Sequence, residues 1–152
     1  MPSPLPKSKI WGLAIASFLG FADASYLTAE HYLKLPLPCS ITQGCDTVLN
    51  SRYAMLAGLP IAFFGAIYYL LLLFLAVSLL TNKNSSGAPQ IKAALALSSF
   101  GLLVSIMLVY LQFFVIYQLC LYCLASATFT LIAFVLSISI YRALKKSILS
   151  HG

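Results

Sequence analysis

Very little of this chain carries charge. Only 8% of its residues are charged and only three are acidic, against roughly 25% charged residues in a typical globular domain. That shortage excludes an ordinary soluble domain, because 61% of the 152 residues are hydrophobic and a fold of this size has too little interior to hide them. A bilayer can solvate them, so the composition indicates an integral membrane protein. The net charge of +6 does not mark a nucleic-acid binder, since there is no basic run interleaved with aromatic residues. No internal repeat is present. The one biased stretch is TNKNSSGAPQ at 81–90, which its Asn, Ser and Gly make a loop. Cysteine is scarce, at four residues.

Four apolar stretches, at about 10–28, 59–80, 93–117 and 121–141, each come near the ~20 residues that cross the hydrocarbon core as a helix. In lipid every backbone amide must be satisfied internally, which selects helices over open strands. The expected fold is an all-α membrane protein, one domain over 1–152, built as a four-transmembrane-helix bundle with an outer loop at 29–58. Lysine and arginine set its orientation. With the N-terminus inside, Lys7, Lys9, Lys83, Lys92, Arg142, Lys145 and Lys146 lie on the inner side and only Lys34 and Arg52 on the outer. Both termini are therefore expected in the cytoplasm, with the loop facing the periplasm or exterior. Lys7, Lys9, the first apolar run and Ala22-Asp23-Ala24 also resemble a signal peptide with its cleavage site; the run is read instead as a retained span. Asp23 is expected to reach water at the interface.

On this topology Cys39, Cys45, Cys120 and Cys123 all fall at the outer side, where disulfides are permitted. Cys120-Leu-Tyr-Cys123 opens the fourth span. A helix N-terminus offers unpaired N–H groups and partial positive charge, which favour a thiolate and make a thiol reactive. Cys39 and Cys45 form a C-x₅-C pair in the loop, beside Pro36, Pro38 and Gly44, a composition of irregular backbone. Asp46 is expected to cap a short amphipathic helix over 48–57, with Leu49, Tyr53 and Leu56 on its apolar face. Gly58 should end it and Pro60 should open the second span. The helix would then lie over the bundle as a cover. Structural disulfides, buried cysteines packing as small apolar groups, or a Cys₄ zinc site remain alternatives, although C-x₅-C is looser than usual zinc spacing. A transporter would show more ionisable residues within its spans.

The order C-x₅-C, Ser51 six residues on, GLPIAFFGAIYY at the second span and CLYC at the fourth resembles the vitamin K epoxide reductase family, in particular bacterial homologues acting in disulfide bond formation. The resemblance covers about residues 10–142. It implies a four-helix bundle enclosing a quinone near the outer surface. It makes Cys123 the quinone-side cysteine, Cys120 its partner, Cys45 the shuttle and Cys39 the cysteine that exchanges with a thioredoxin-fold protein, with Ser51 in support. The quinone-contacting Asn and Tyr of vertebrate members fall here on Ile61 and Ala127, which favours a plain quinone such as ubiquinone or menaquinone over vitamin K epoxide. The partner is expected as a separate protein. Quinone contacts are expected from Phe64, Tyr117 and Cys123, with Phe63, Tyr68, Phe114 and Tyr122 as further aromatic candidates. His31 is expected to face solvent. No metal is expected. A bacterial quinone reductase of another family also has four helices and two cysteine pairs, but there C-x-x-C is the first pair and here it is the second.

Overall fold

The computed structural model describes residues 5–34, 44–81 and 87–151. In chain order its elements are α1 (Lys7–Leu33), a short α2 (Gly44–Leu49), a 3-10 turn (Arg52–Ala54), strands β1 (Met55–Leu56) and β2 (Leu59–Pro60), α3 (Ile61–Thr81), α4 (Ala88–Leu111) ending in a π-helical turn (Gln112–Ile116), and α5 (Leu121–His151). Four of these helical segments are long and apolar enough to cross a membrane. Even the shortest, at 21 residues, extends about 32 Å.

Burial is what lipid requires rather than water. Only 11% of the most apolar window of the third span is buried, and Phe74, Phe100 and Leu103 are 65–68% exposed. Such a continuous apolar surface is untenable on a soluble monomer. Several hydroxyls inside the spans return to their own helix: Ser17 donates to the Leu13 carbonyl at 2.8 Å and Thr28 to the Ala24 carbonyl at 2.7 Å. This removes the cost of an unsatisfied polar group in hydrocarbon.

The spans close into a ring, α1 on α3, α3 on α4, α4 on α5 and α5 back on α1, with α3–α4 the thinnest seam. Ile10, Leu13, Leu72, Ile91, Ala133 and Ile140 form a core in the half of the bundle remote from Cys120. Midway, Tyr69 of α3 crosses the ring. Its hydroxyl contacts the Ser126 carbonyl at 2.6 Å, Ser126 Oγ at 3.0 Å and Thr130 Oγ1 at 2.8 Å on α5. The ring of Tyr69 occupies the space over Gly20 of α1, where a Cβ would fall 2.3 Å from its Cε1.

The expected short helix over 48–57 is shorter and earlier. Asp46 lies inside α2 rather than at its cap. At its end the Asn50 amide and Nδ2 both donate to the Asp46 carbonyl, at 3.0 and 2.9 Å, and the Ser51 amide and Oγ both donate to the Val48 carbonyl, at 3.2 and 2.7 Å, which tightens the last turn. The remaining residues fold as the 3-10 turn and a hairpin pairing Met55 with Pro60 and Leu56 with Leu59. Ala57 and Gly58 both have positive φ, 53° and 81°, as a two-residue type I′ turn demands. Leu59 and Pro60 therefore belong to the hairpin and not to the second span.

Gly20→Ala is expected to displace the Tyr69 ring and destabilise the protein by about 1–3 kcal/mol, read as a lower melting temperature in detergent. Gly65→Ala, whose Cβ would sit 3.6 Å from that of Ala24, should melt close to wild type. Equal melting of the two variants would contradict the packing described.

Candidate active site

The chain leaves α4 through the π turn and Tyr117, whose φ of 55° is left-handed, and enters α5 at Cys120. Cys120 holds the capping position of α5. Its carbonyl accepts the Leu124 amide at 3.0 Å, and its Sγ accepts the Cys123 amide at 3.3 Å. Sulfur here does what a Ser or Asp oxygen does at an ordinary N-cap. Its own amide donates to Oε1 of the buried Gln112 at 3.1 Å. Cys120 and Cys123 are free thiols. The Cys123 thiol, hydrogen-bonded to Cys120, holds the Cys120 thiol below its ordinary pKa, against the opposing effects of burial and of the Asp23 carboxylate. The sulfur served by the helix terminus is thus Cys120.

The loop comes down onto this corner. Cys45, Val48 and Cys120 form one buried cluster, with Ile116, Tyr122 and Cys123 packed around it. The approach is close because Gly44 has no side chain: a Cβ there would fall 2.7 Å from the Leu119 carbonyl oxygen. Gly44 is therefore a docking point, not a flexible hinge. Cys45 is disulfide-bonded, and neither Cys120 nor Cys123 is its partner. Cys39 lies outside the described residues.

On the other side of Cys123 is a cavity of about 220 Å³, below the ~300–1,000 Å³ of sites for drug-sized ligands and suited to one aromatic headgroup. Cys123 lines it and Cys120 does not. Its walls are mostly apolar, with Phe64, Ile61 and Ala127 among them, and Ser51 and Tyr53 of the loop contribute to its roof. Among the described residues no group of three or more His, Cys, Asp or Glu is placed to hold a metal.

One thiol of a C-x-x-C pair therefore meets the loop cysteine and the other meets an apolar cavity inside a membrane bundle. A model of the vitamin K epoxide reductase family matches residues 11–138. The chain belongs to that family. Membership implies a membrane oxidoreductase, in a quinone-linked family of thiol-disulfide chemistry that generally works with a thioredoxin-like partner.

Of the positions expected to serve the reaction, Cys45, Cys120 and Cys123 come together, and Ser51 and Phe64 line the cavity. Tyr117 is not among the lining residues. Its left-handed backbone carries the chain out of the π turn, and the side chain is 75% exposed. Phe63, Phe114 and Tyr122 also lie off the cavity; Phe114 stacks on Tyr110 and Tyr122 packs against Tyr26. His31, expected in solvent, is a lining residue. Asp23 does not simply reach water: its Oδ2 is buried without a hydrogen-bond partner among the described residues, and its charge acts on Cys120. Gln112 was not singled out from the sequence. An amide within an apolar span was the available signal, since such residues are costly unless used.

In the fully reduced C-x-x-C pair, Cys123→Ala removes the donor that stabilises the Cys120 thiolate, so the Cys120 pKa should rise. Asp23→Asn removes a nearby anion, so it should fall further. Ultraviolet thiolate absorbance titrated against pH checks both directions; no movement in either variant would contradict the electrostatic account.

Proposed function

We propose that this protein reoxidises a thioredoxin-fold partner at the outer face of the cytoplasmic membrane and delivers the electrons to a quinone, supporting disulfide bond formation. The observation that carries the proposal is the division of labour in the C-x-x-C pair, with Cys120 against Cys45 and Cys123 on the cavity. The excess of Lys and Arg on the inner side supports cytoplasmic termini.

In this scheme a thiolate of the partner attacks the loop disulfide at Cys39, releasing Cys45 as a thiolate. The second partner thiol resolves the mixed disulfide. Cys45 then attacks Cys120 of the Cys120–Cys123 disulfide, Cys123 leaves as a thiolate and takes a proton, and Cys39 closes the loop disulfide by displacing Cys120. Such exchange is favoured by a stabilised leaving thiolate and by access to the attacked sulfur, and the α5 amide that caps Cys120 supplies the first. A disulfide-bonded Cys45 beside two free thiols corresponds to electrons already resting on the inner pair. The Cys120 and Cys123 thiols share a hydrogen bond, so the inner disulfide can close again within the pair. Closing it releases two electrons and two protons, for which a quinone in the cavity, ubiquinone, menaquinone or a relative, supplies the acceptor. Phe64 and the apolar wall at Ile61 and Ala127 suit such a ring and exclude water. Ser51 holds the roof by ending α2.

With a reduced thioredoxin-fold protein and a short-tailed quinone, the purified protein should bleach quinone absorbance catalytically. Cys123→Ala should lower turnover by about a thousandfold or more. Turnover at the wild-type rate in that variant would overturn the electron path.

A further inference from the structure

Two protons must reach the quinone along with two electrons, yet the thiol pair presents only one of its sulfurs to the cavity. Cys123 lines the wall and Cys120 does not. We propose that His31 is the second proton donor, relaying protons from water on the loop side to the quinone. The proposal rests on the quinone reading above.

The placement of His31 follows from α1. Ala24, Leu27 and His31 line the cavity, and their spacing of three and four residues puts them on one face of the helix. That face is turned toward α3, where a Cβ at Gly65 would lie 3.6 Å from that of Ala24. His31 is the outermost of the three. It sits in the last turn of α1, the end from which the chain enters the loop, and it shares the cavity with Ser51 and Tyr53 of the roof. Its ring packs edge-on against Tyr32 with centroids 5.7 Å apart. Among the described residues neither ring nitrogen is hydrogen-bonded, and neither is a buried atom lacking a partner. The nitrogens are therefore open to the cavity or to water, as a proton relay requires.

The chemistry of the wall singles out the same residue. The other titratable residues lining the cavity are Tyr53 from the loop, Tyr68 and Tyr69 from α3 and Cys123 from α5. Glu30 and Lys34 flank His31 on its own helix, and Asp46 and Arg52 belong to the loop, but none of these four lines the cavity. An imidazole ordinarily gains and loses a proton between about pH 5 and 8, whereas a phenol does so only at about pH 10. Overall, a dithiol and a quinone become a disulfide and a quinol. The S–S bond forms, both S–H bonds break, and two electrons pass to the quinone. The Cys123 proton goes with them. The Cys120 proton leaves for water as the thiolate forms, which its lowered pKa favours. Protonated His31 delivers the equivalent of that proton to the quinone and recovers it from water.

The test is His31→Gln, which keeps a polar side chain but cannot carry the proton. Protein reduced in advance is mixed with excess short-tailed benzoquinone, so that a single turnover reports the quinone step alone. The wild-type rate should fall as pH rises through the imidazole range, because the protonated form is the donor. In His31→Gln the rate at neutral pH should be lower by about a hundredfold, and the alkaline fall should vanish, leaving only the pH dependence of the thiols. Reduction of the Cys45 disulfide by a dithiol partner should keep its wild-type rate. A second readout does not depend on turnover. In a His151→Ala background, the one remaining imidazole signal in the NMR spectrum of isotope-labelled histidine should shift when the benzoquinone binds the oxidised protein. A wild-type rate and pH profile in His31→Gln, with an imidazole signal that quinone binding leaves unmoved, would overturn the assignment of His31 while leaving the quinone reading intact. Absence of quinone binding by the wild-type protein would overturn the quinone reading itself, and the His31 proposal with it.

Discussion

The main chain at Gly44 lies so near the Leu119 carbonyl that a single methyl group would fall 2.7 Å from it. Backbone on both sides of that contact cannot yield cheaply, so any side chain at 44 would lift α2 from the bundle. The consequences run outward from there. Cys45, one residue on, is carried into the buried cluster with Cys120. Val48, a helical turn further, seals it. Ser51 ends α2 and, with Tyr53, forms part of the cavity roof. The contact thus joins a water-facing loop to a thiol pair at the rim of the membrane, and the same few residues cover the cavity that the pair opens onto.

The bilayer sets the terms for the remainder. Because lipid solvates the outer surfaces of the helices, apolar burial does little to hold the spans together, and close packing and interhelical hydrogen bonds carry more of the task. Tyr69 illustrates both: its ring fits over Gly20 and its hydroxyl reaches two residues of α5. Gly101 receives Tyr68 in the same manner on the opposite side. These glycines let two large aromatic residues into the half of a narrow bundle that carries the thiol pair. The other half closes over Leu13, Leu72 and Ala94, so the cavity has a floor.

Much of this was legible in the residues. Length and hydropathy located four spans, because a hydrophobic run of about 20 residues has few other uses. Cysteine spacing, with Ser51 and the CLYC motif, singled out residues that the fold brings to one corner of the bundle. What could not be read was orientation within the bundle. The second and third spans are apolar all round, and a helix without a polar face does not announce which side turns inward, so Phe64 and Tyr117 were equally plausible from sequence while only Phe64 lines the cavity. The short helix ends where the Ser51 amide and hydroxyl both turn back to the Val48 carbonyl, a local arrangement that apolar periodicity does not register. Asp23 and Gln112 stood out only as polar residues in apolar runs; their relation to Cys120 depends on how α1 and the π turn meet α5.

The central claim is that Cys45 and Cys120 are close enough to exchange. It is tested most directly in a Cys39→Ala, Cys123→Ala variant, which leaves only these two thiols. After mild oxidation in detergent and proteolysis, mass spectrometry should find the peptides containing Cys45 and Cys120 joined by a disulfide within one chain. Two alkylatable thiols surviving the oxidant, with no joined peptide, would contradict the relay.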